Sequence, residues 1–171
     1  MKKNSFITGA MISTISIVAV IIWTLIIFLA STKTSAESNT TSKEFIYNNL
    51  KATINITNKI KLTNSDIYNE KWIESKVDIL NKPIRKCAHA FIYFVLAILL
   101  CLCLKVSGIN KNRIYLLVLL SAFCYSLTDE FHQLFVNGRT GQFSDCLIDT
   151  SGAILGILLF KVILIIKKQT I

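Results

Sequence analysis

Residues 6–30 run without a charge. That is long enough for a bilayer-spanning helix, which needs about 20 mostly apolar residues. Three later stretches read the same way. Residues 87–104 carry one His near their start. Residues 114–136 are apolar until their last third, which holds Asp129, Glu130, His132 and Gln133. Residues 146–166 have Asp149 near their start and Lys161 near their end. The pattern predicts an all-α membrane protein, a bundle of four transmembrane helices. Thr34-Ser35-Ala36 would suit signal cleavage. A signal peptide's apolar run spans only roughly 7–15 residues, however, so the first stretch is expected to stay as an anchor.

Between the first two stretches lies a different pattern. Residues 32–42 are rich in Ser and Thr, and amphipathic spacing follows. Thr41-Ser42-Lys43-Glu44 fits a capping box. Ile46, Leu50 and Ile54 recur every four residues on one helical face. Trp72, Ile73, Val77 and Leu80 repeat the arrangement. Two short helices are expected here, lying on the outer leaflet or capping the bundle. The predicted organisation is an anchor at 1–31, an amphipathic extracytoplasmic segment at 32–85, a three-helix core at 86–166 and a basic cytoplasmic tail at 167–171.

Composition supports a membrane chain. Of the 171 residues 53% are hydrophobic and 17% charged, and the mean hydropathy is +0.55. A soluble domain is about 25% charged. The net charge of +9 is explained by topology. With the N-terminus inside, the inner side holds Lys2, Lys3, Lys105, Lys111, Arg113, Lys161, Lys167 and Lys168, eight basic residues and no acid. This is a positive-inside pattern with both termini cytoplasmic. No basic stripe interleaved with aromatics points to nucleic acid. The five cysteines form no CxxC pair and read as small apolar filler in membrane helices.

Ionisable groups in membrane helices are costly and mark sites by default. Here they gather at one depth, the outer face. Arg85, His89 and Tyr93 recur every four residues, with Lys86 three before His89, so they share a helical face. Asp129, Glu130 and Gln133 close the third span, with Ser126 one turn away. Asp145 and Asp149 open the fourth, and Gly152 and Gly156 continue their row. That glycine pair is a small-xxx-small row suited to close helix approach. Arg139 stands in the turn above. The set of three cations, four carboxylates and two histidines can pair within itself as a fastening network. It can instead form a polar pocket, with Arg and Lys binding a phosphate or carboxylate and Asp129, Glu130 or His89 as acid–base candidates. His89, His132, Asp129 and Glu130 do not give a strong metal pattern, since HExxH is absent. No metal or cofactor is expected.

These residues also form ordered motifs. Arg85-Lys86-Cys87-Ala88-His89 with Tyr93 resembles the RKxAHxxxY opening of VanZ-like proteins. The run from Asp129-Glu130 through Gln133 to Arg139 resembles their DExxQxFxxxR centre. Asp145 through Asp149, Gly152 and Gly156 resembles their closing DxxxNTxGxxxG. The resemblance covers residues 82–156. Asp149 stands where that family usually has Asn, which adds a carboxylate. Asn137 stands where Pro is common, and it still suits a turn. The resemblance implies a bacterial multi-pass membrane protein of the cell envelope. It also implies a link with resistance to lipoglycopeptide antibiotics such as teicoplanin, the namesake association. It supplies no reaction. Expected partners are the bilayer and a lipid head group, lipid-linked wall precursor or lipoglycopeptide. The alternatives are an enzyme acting on a phosphate-bearing lipid, a purely structural network and a proton-coupled carrier. The apolar inner halves of the last three spans argue against the carrier.

Overall fold

The computed structural model describes residues 2–61 and 70–169. Five helices make up the described chain: α1 (Lys2–Ser31), α2 (Ser35–Lys61), α3 (Glu70–Val106), α4 (Lys111–Gln133) and α5 (Phe143–Gln169). There is no strand among the described residues. Helices α1, α3, α4 and α5 each contain a segment long and apolar enough to cross a membrane. The chain is a multi-pass membrane protein.

The segment between the first two spans departs from two short helices. α2 alone is 27 residues long. The second amphipathic run is continuous with the second span, through Pro83, in one helix of 37 residues. Such a helix is about 55 Å long, against a hydrocarbon core of about 30 Å. It exceeds that thickness by about 25 Å. The boundary expected at 85/86 falls in the middle of α3. The two apolar stripes seen in sequence meet each other: Ile46, Ile73 and Val77 are buried together, flanked by Tyr47, Leu50, Ile54, Leu80 and Ile84. Asn81 ties the pair, donating to Asn39 Oδ1 at 2.9 Å and accepting from the Ser42 hydroxyl.

The capping box exists seven residues earlier than expected. Thr34 is the cap: its hydroxyl accepts from the Glu37 amide at 3.3 Å, and Glu37 Oε2 accepts from the Thr34 amide and hydroxyl at 3.0 Å. Those bonds hold the Glu37 carboxyl below its ordinary 4.5. Thr41 and Ser42 sit inside α2, returning their hydroxyls to carbonyls one turn back.

α3 is the axis of the molecule and the only described helix that touches all four others. α5 lies against it along Gly152 and Gly156. A Cβ on Gly152 would fall 2.7 Å from the Ala90 carbonyl carbon, and one on Gly156 would fall 3.1 Å from the Ala97 Cβ. The glycine row therefore packs within the chain. α1 is docked rather than a detached anchor. Trp23 Nε1 donates to the Ile92 carbonyl at 3.0 Å, the Tyr125 hydroxyl donates to the Thr24 carbonyl at 2.7 Å, and Ile27 enters the core. That core comprises Leu96, Ala97, Cys101, Ile114, Val118, Ala122, Ala153 and Phe160 beside Tyr93. The outward faces of α1, α4 and α5 expose Ile15, Leu25, Leu116, Leu155 and Ile163, as lipid-facing surfaces do. Cys101 and Cys146 are buried, Cys87 and Cys124 are exposed, and all five cysteines are free.

Candidate functional site

The polar residues picked out by spacing meet at one end of the bundle, where α3, α4 and α5 are joined by the turn after α4. α4 stops at Gln133, three residues short of the apolar run. Leu134, Phe135 and Val136 then bond back to Phe131, His132 and Gln133. Gly138, at φ 73°, completes a turn whose Arg139 amide reaches the Val136 carbonyl at 3.1 Å. The turn also accepts α2, with the Ser35 amide 3.4 Å from the Asn137 carbonyl.

The set pairs its cations and carboxylates only in part. Among the described residues its one short ion pair is Lys86 Nζ to Asp145 Oδ1 at 2.8 Å, joining α3 to α5. His89 Nδ1 lies 3.8 Å from Asp149 Oδ1. The other carboxylates take neutral donors. Asp149, with no exposed surface, accepts the Ser126 hydroxyl at 2.7 Å. Its second oxygen has no hydrogen-bond partner among the described residues. Asp129 accepts from Gln133 Nε2 at 3.2 Å, a contact one turn along the same helix. Glu130 accepts the Gln142 amide at 2.7 Å and so fastens the loop that carries Arg139. Asp129, Glu130 and Gln133 are all buried.

The two guanidiniums are left without carboxylate partners. Arg85 donates to Asn39 Oδ1 of α2 at 3.0 Å. Neither Arg85 nor Arg139 has a carboxylate oxygen within 4 Å among the described residues, and Arg139 Nε is buried without a partner. Burial pulls the Arg139 guanidinium below its ordinary value, nearby Arg85 pulls the same way, and Asp129 and Glu130 oppose them. An arginine so placed stays charged. The site thus holds two neighbouring guanidiniums with no direct carboxylate contact among the described residues, Arg139 being offset at longer range by Asp129 and Glu130.

Two cavities open beside them. A polar one of about 360 Å³ lies between α3, α5 and the turn. Lys82, Lys86, Gln142 and Asp145 line it, and Asp149 closes it. An apolar one of about 380 Å³ lies between α1, α2 and α3. Ile27, Ile84, Ala88 and Ile92 wall it, with Phe45, Tyr93 and Asp129 also lining it. Arg85, His89 and Arg139 belong to both.

His132 goes elsewhere, its ring 4.9 Å from that of Phe28 on α1. Among the described residues no three His, Cys, Asp or Glu side chains come together in a metal-holding group. Tyr93 is fully buried, its ring 6.2 Å from that of Tyr125. Sequence reasoning missed Asn39, Ser31, Lys33 and Lys82, because the end of α1, α2 and the first half of α3 gave no sign that they meet over the polar end. It also missed Gly141. A Cβ there would fall 2.6 Å from the Glu130 carbonyl oxygen, so the loop passes where only glycine fits.

Among the described residues the buried side chains deeper than Ser126 and Asp149 are apolar, so the buried polar groups gather at one end of the bundle. A family model described as VanZ/LLP1 matches residues 16–165. The match starts inside α1 and takes in α2, beyond the three motif-bearing helices. Comparison with curated proteins and with solved structures returned no match.

Proposed function

The chain belongs to the VanZ/LLP1 family, and from that membership and the polar end of the bundle we propose that it binds the anionic head group of an envelope lipid or lipid-linked wall precursor. The carrying observation is the pair Arg85 and Arg139, which share both cavities and have no carboxylate within 4 Å among the described residues. Planar guanidiniums bind phosphate through paired N–H donors, and for the half-buried Arg85 and Arg139 that attraction is screened less than at an open surface. Lys82 adds a further cation at the polar rim, while Lys86 is paired with Asp145 there. A purely structural ion-pair and hydrogen-bond network would account for the carboxylates, three of which accept from neutral donors, but it leaves Arg139 Nε and Asp149 Oδ1 without hydrogen-bond partners among the described residues. In this proposal the pocket lies at the outer leaflet of the bacterial cell membrane with both termini in the cytoplasm, and the eight basic residues at the opposite ends of the spans support that placement. Sequestering a lipid or precursor there is the route by which such a protein would blunt teicoplanin-type lipoglycopeptides.

The binding test is native mass spectrometry of the purified full chain with added dioleoyl phosphatidic acid or, as a headless control, dioleoylglycerol. The wild type should retain the phosphatidic acid, an Arg85→Gln/Arg139→Gln variant should not, and neither should retain the control. Equal retention by the folded double variant overturns the proposal. The cellular test compares wild type and Arg139→Gln at matched membrane levels in a teicoplanin-sensitive bacterium. If the wild type does not raise the inhibitory concentration, the resistance role is refuted.

A further inference from the structure

We infer that the ligand is a phosphate-headed lipid held with its chain inside the protein: the head in the polar cavity, the tail in the apolar cavity, and Arg85, His89 and Arg139 at the divide. This rests on the anionic head-group reading and goes beyond it by assigning the second cavity.

A free anion needs only the polar cavity. The structure builds a second one of nearly equal size against it, about 380 Å³ beside about 360 Å³, and both fall within the usual range of ligand pockets, roughly 300–1,000 Å³. Their chemistries divide as an amphiphile's do. Ile27, Ile84, Ala88 and Ile92 wall one; Lys82, Lys86, Gln142 and Asp145 line the other. An independent observation lies at the last turn of α1. Ser31 lines the apolar cavity and is 3% exposed, and its hydroxyl has no hydrogen-bond partner among the described residues. A buried polar atom without a partner is uncommon and costly. That oxygen is shut off from the cavity as the structure stands, and a glycerol or ester oxygen joining head to tail would satisfy it once the Ser31 side chain turns toward the ligand. α2 covers this cavity with Ser38, Thr41 and Phe45 and is bonded to Arg85 through Asn39, so the helix that encloses the tail also positions the head-group cation. α1, which supplies Ile27 and Ser31, is a span helix with exposed apolar residues such as Leu25 and Leu29, the side from which a lipid chain would enter.

The test is photocrosslinking of the full chain, reconstituted in neutral phosphatidylcholine, with a phosphatidic acid carrying a diazirine on its acyl chain. The expected adducts map to Ile27, Ile84 and Ile92. They should be competed by unlabelled phosphatidic acid but not by dioleoylglycerol or millimolar inorganic phosphate. They should be lost in Ala88→Trp and in Ala30→Phe, two substitutions at exposed lining positions on opposite walls. Both variants should still retain a phosphatidic acid whose photoreactive group is on the head. Adducts confined to lipid-facing positions such as Ile15 and Leu158, unchanged by the two plugs but lost in Arg85→Gln/Arg139→Gln, overturn the tail assignment and leave the head-group reading standing. Competition by inorganic phosphate as effective as by the lipid makes the ligand a free anion. Cavity adducts unchanged in the double arginine variant refute the head-group reading, and this inference with it.

Discussion

Replacing Gly152 by Ala should loosen the α3–α5 interface and the polar site together. The added methyl would fall 2.7 Å from the Ala90 carbonyl carbon and 2.9 Å from its Cα. These are backbone atoms, which cannot swing aside as a long side chain can, so the helices must part. Overpacking of this kind costs about 1–3 kcal/mol. At about 2–4 °C per kcal/mol for a chain of this size, the unfolding midpoint should drop by about 2–12 °C. The site should register the same shift, since Ala90 follows His89 and Gly152 lies on the row of Asp145 and Asp149. Parting the helices lengthens the Lys86–Asp145 contact from 2.8 Å and the His89–Asp149 approach from 3.8 Å. The assay is thermal unfolding in detergent, paired with retention of dioleoyl phosphatidic acid by native mass spectrometry. Leu155→Ala is the control, because Leu155 is 59% exposed on the same helix; it should change the midpoint little. A Gly152→Ala midpoint equal to that of the wild type would refute the close-packing argument.

Lys86→Met should leave the unfolding midpoint within about 2–4 °C, because the Lys86–Asp145 pair is partly exposed, at 45% and 33%, and such pairs contribute about 0–1 kcal/mol; a larger loss would mean the pair is a structural clamp. Thr34→Ala should cost about 1 kcal/mol locally and raise amide exchange in the first turns of α2, leaving α5 unchanged. The Glu37 carboxyl is held below its ordinary 4.5 by Thr34, so its contribution is present above that value and is lost as pH falls through the lower folded value. Glu37→Gln should remove that acid sensitivity of α2 exchange. In a chain with its cysteines replaced by Ser, Thr140→Cys should react with an impermeant maleimide added to intact cells and Lys111→Cys should not; the reverse pattern would invert the proposed topology.

The sequence alone determined what one-dimensional patterns can carry. Apolar length marks a span wherever the solvent is lipid, so four spans were legible. Four-residue spacing places side chains on one face, so Arg85, His89 and Tyr93 were already aligned, as were Asp145, Asp149, Gly152 and Gly156. The two amphipathic stripes were visible too. Pattern does not say what a face meets. Only the tertiary structure decided that the stripes bury each other, that the second runs unbroken through Pro83 into a span, and that the cap falls on Thr34 instead of Thr41. Both threonines have an acid three residues on, and local chemistry cannot choose between them until α2 docks on α3. The charges show the same division. Composition put cations and carboxylates at one depth, and counting alone would pair them. Pairing depends on which oxygen faces which donor, and the packing of α4 and α5 gives Asp149 to Ser126 and Glu130 to the Gln142 amide. Arg85 and Arg139 are thereby left facing a cavity that no spacing rule could reveal, because its other wall comes from α1 and α2.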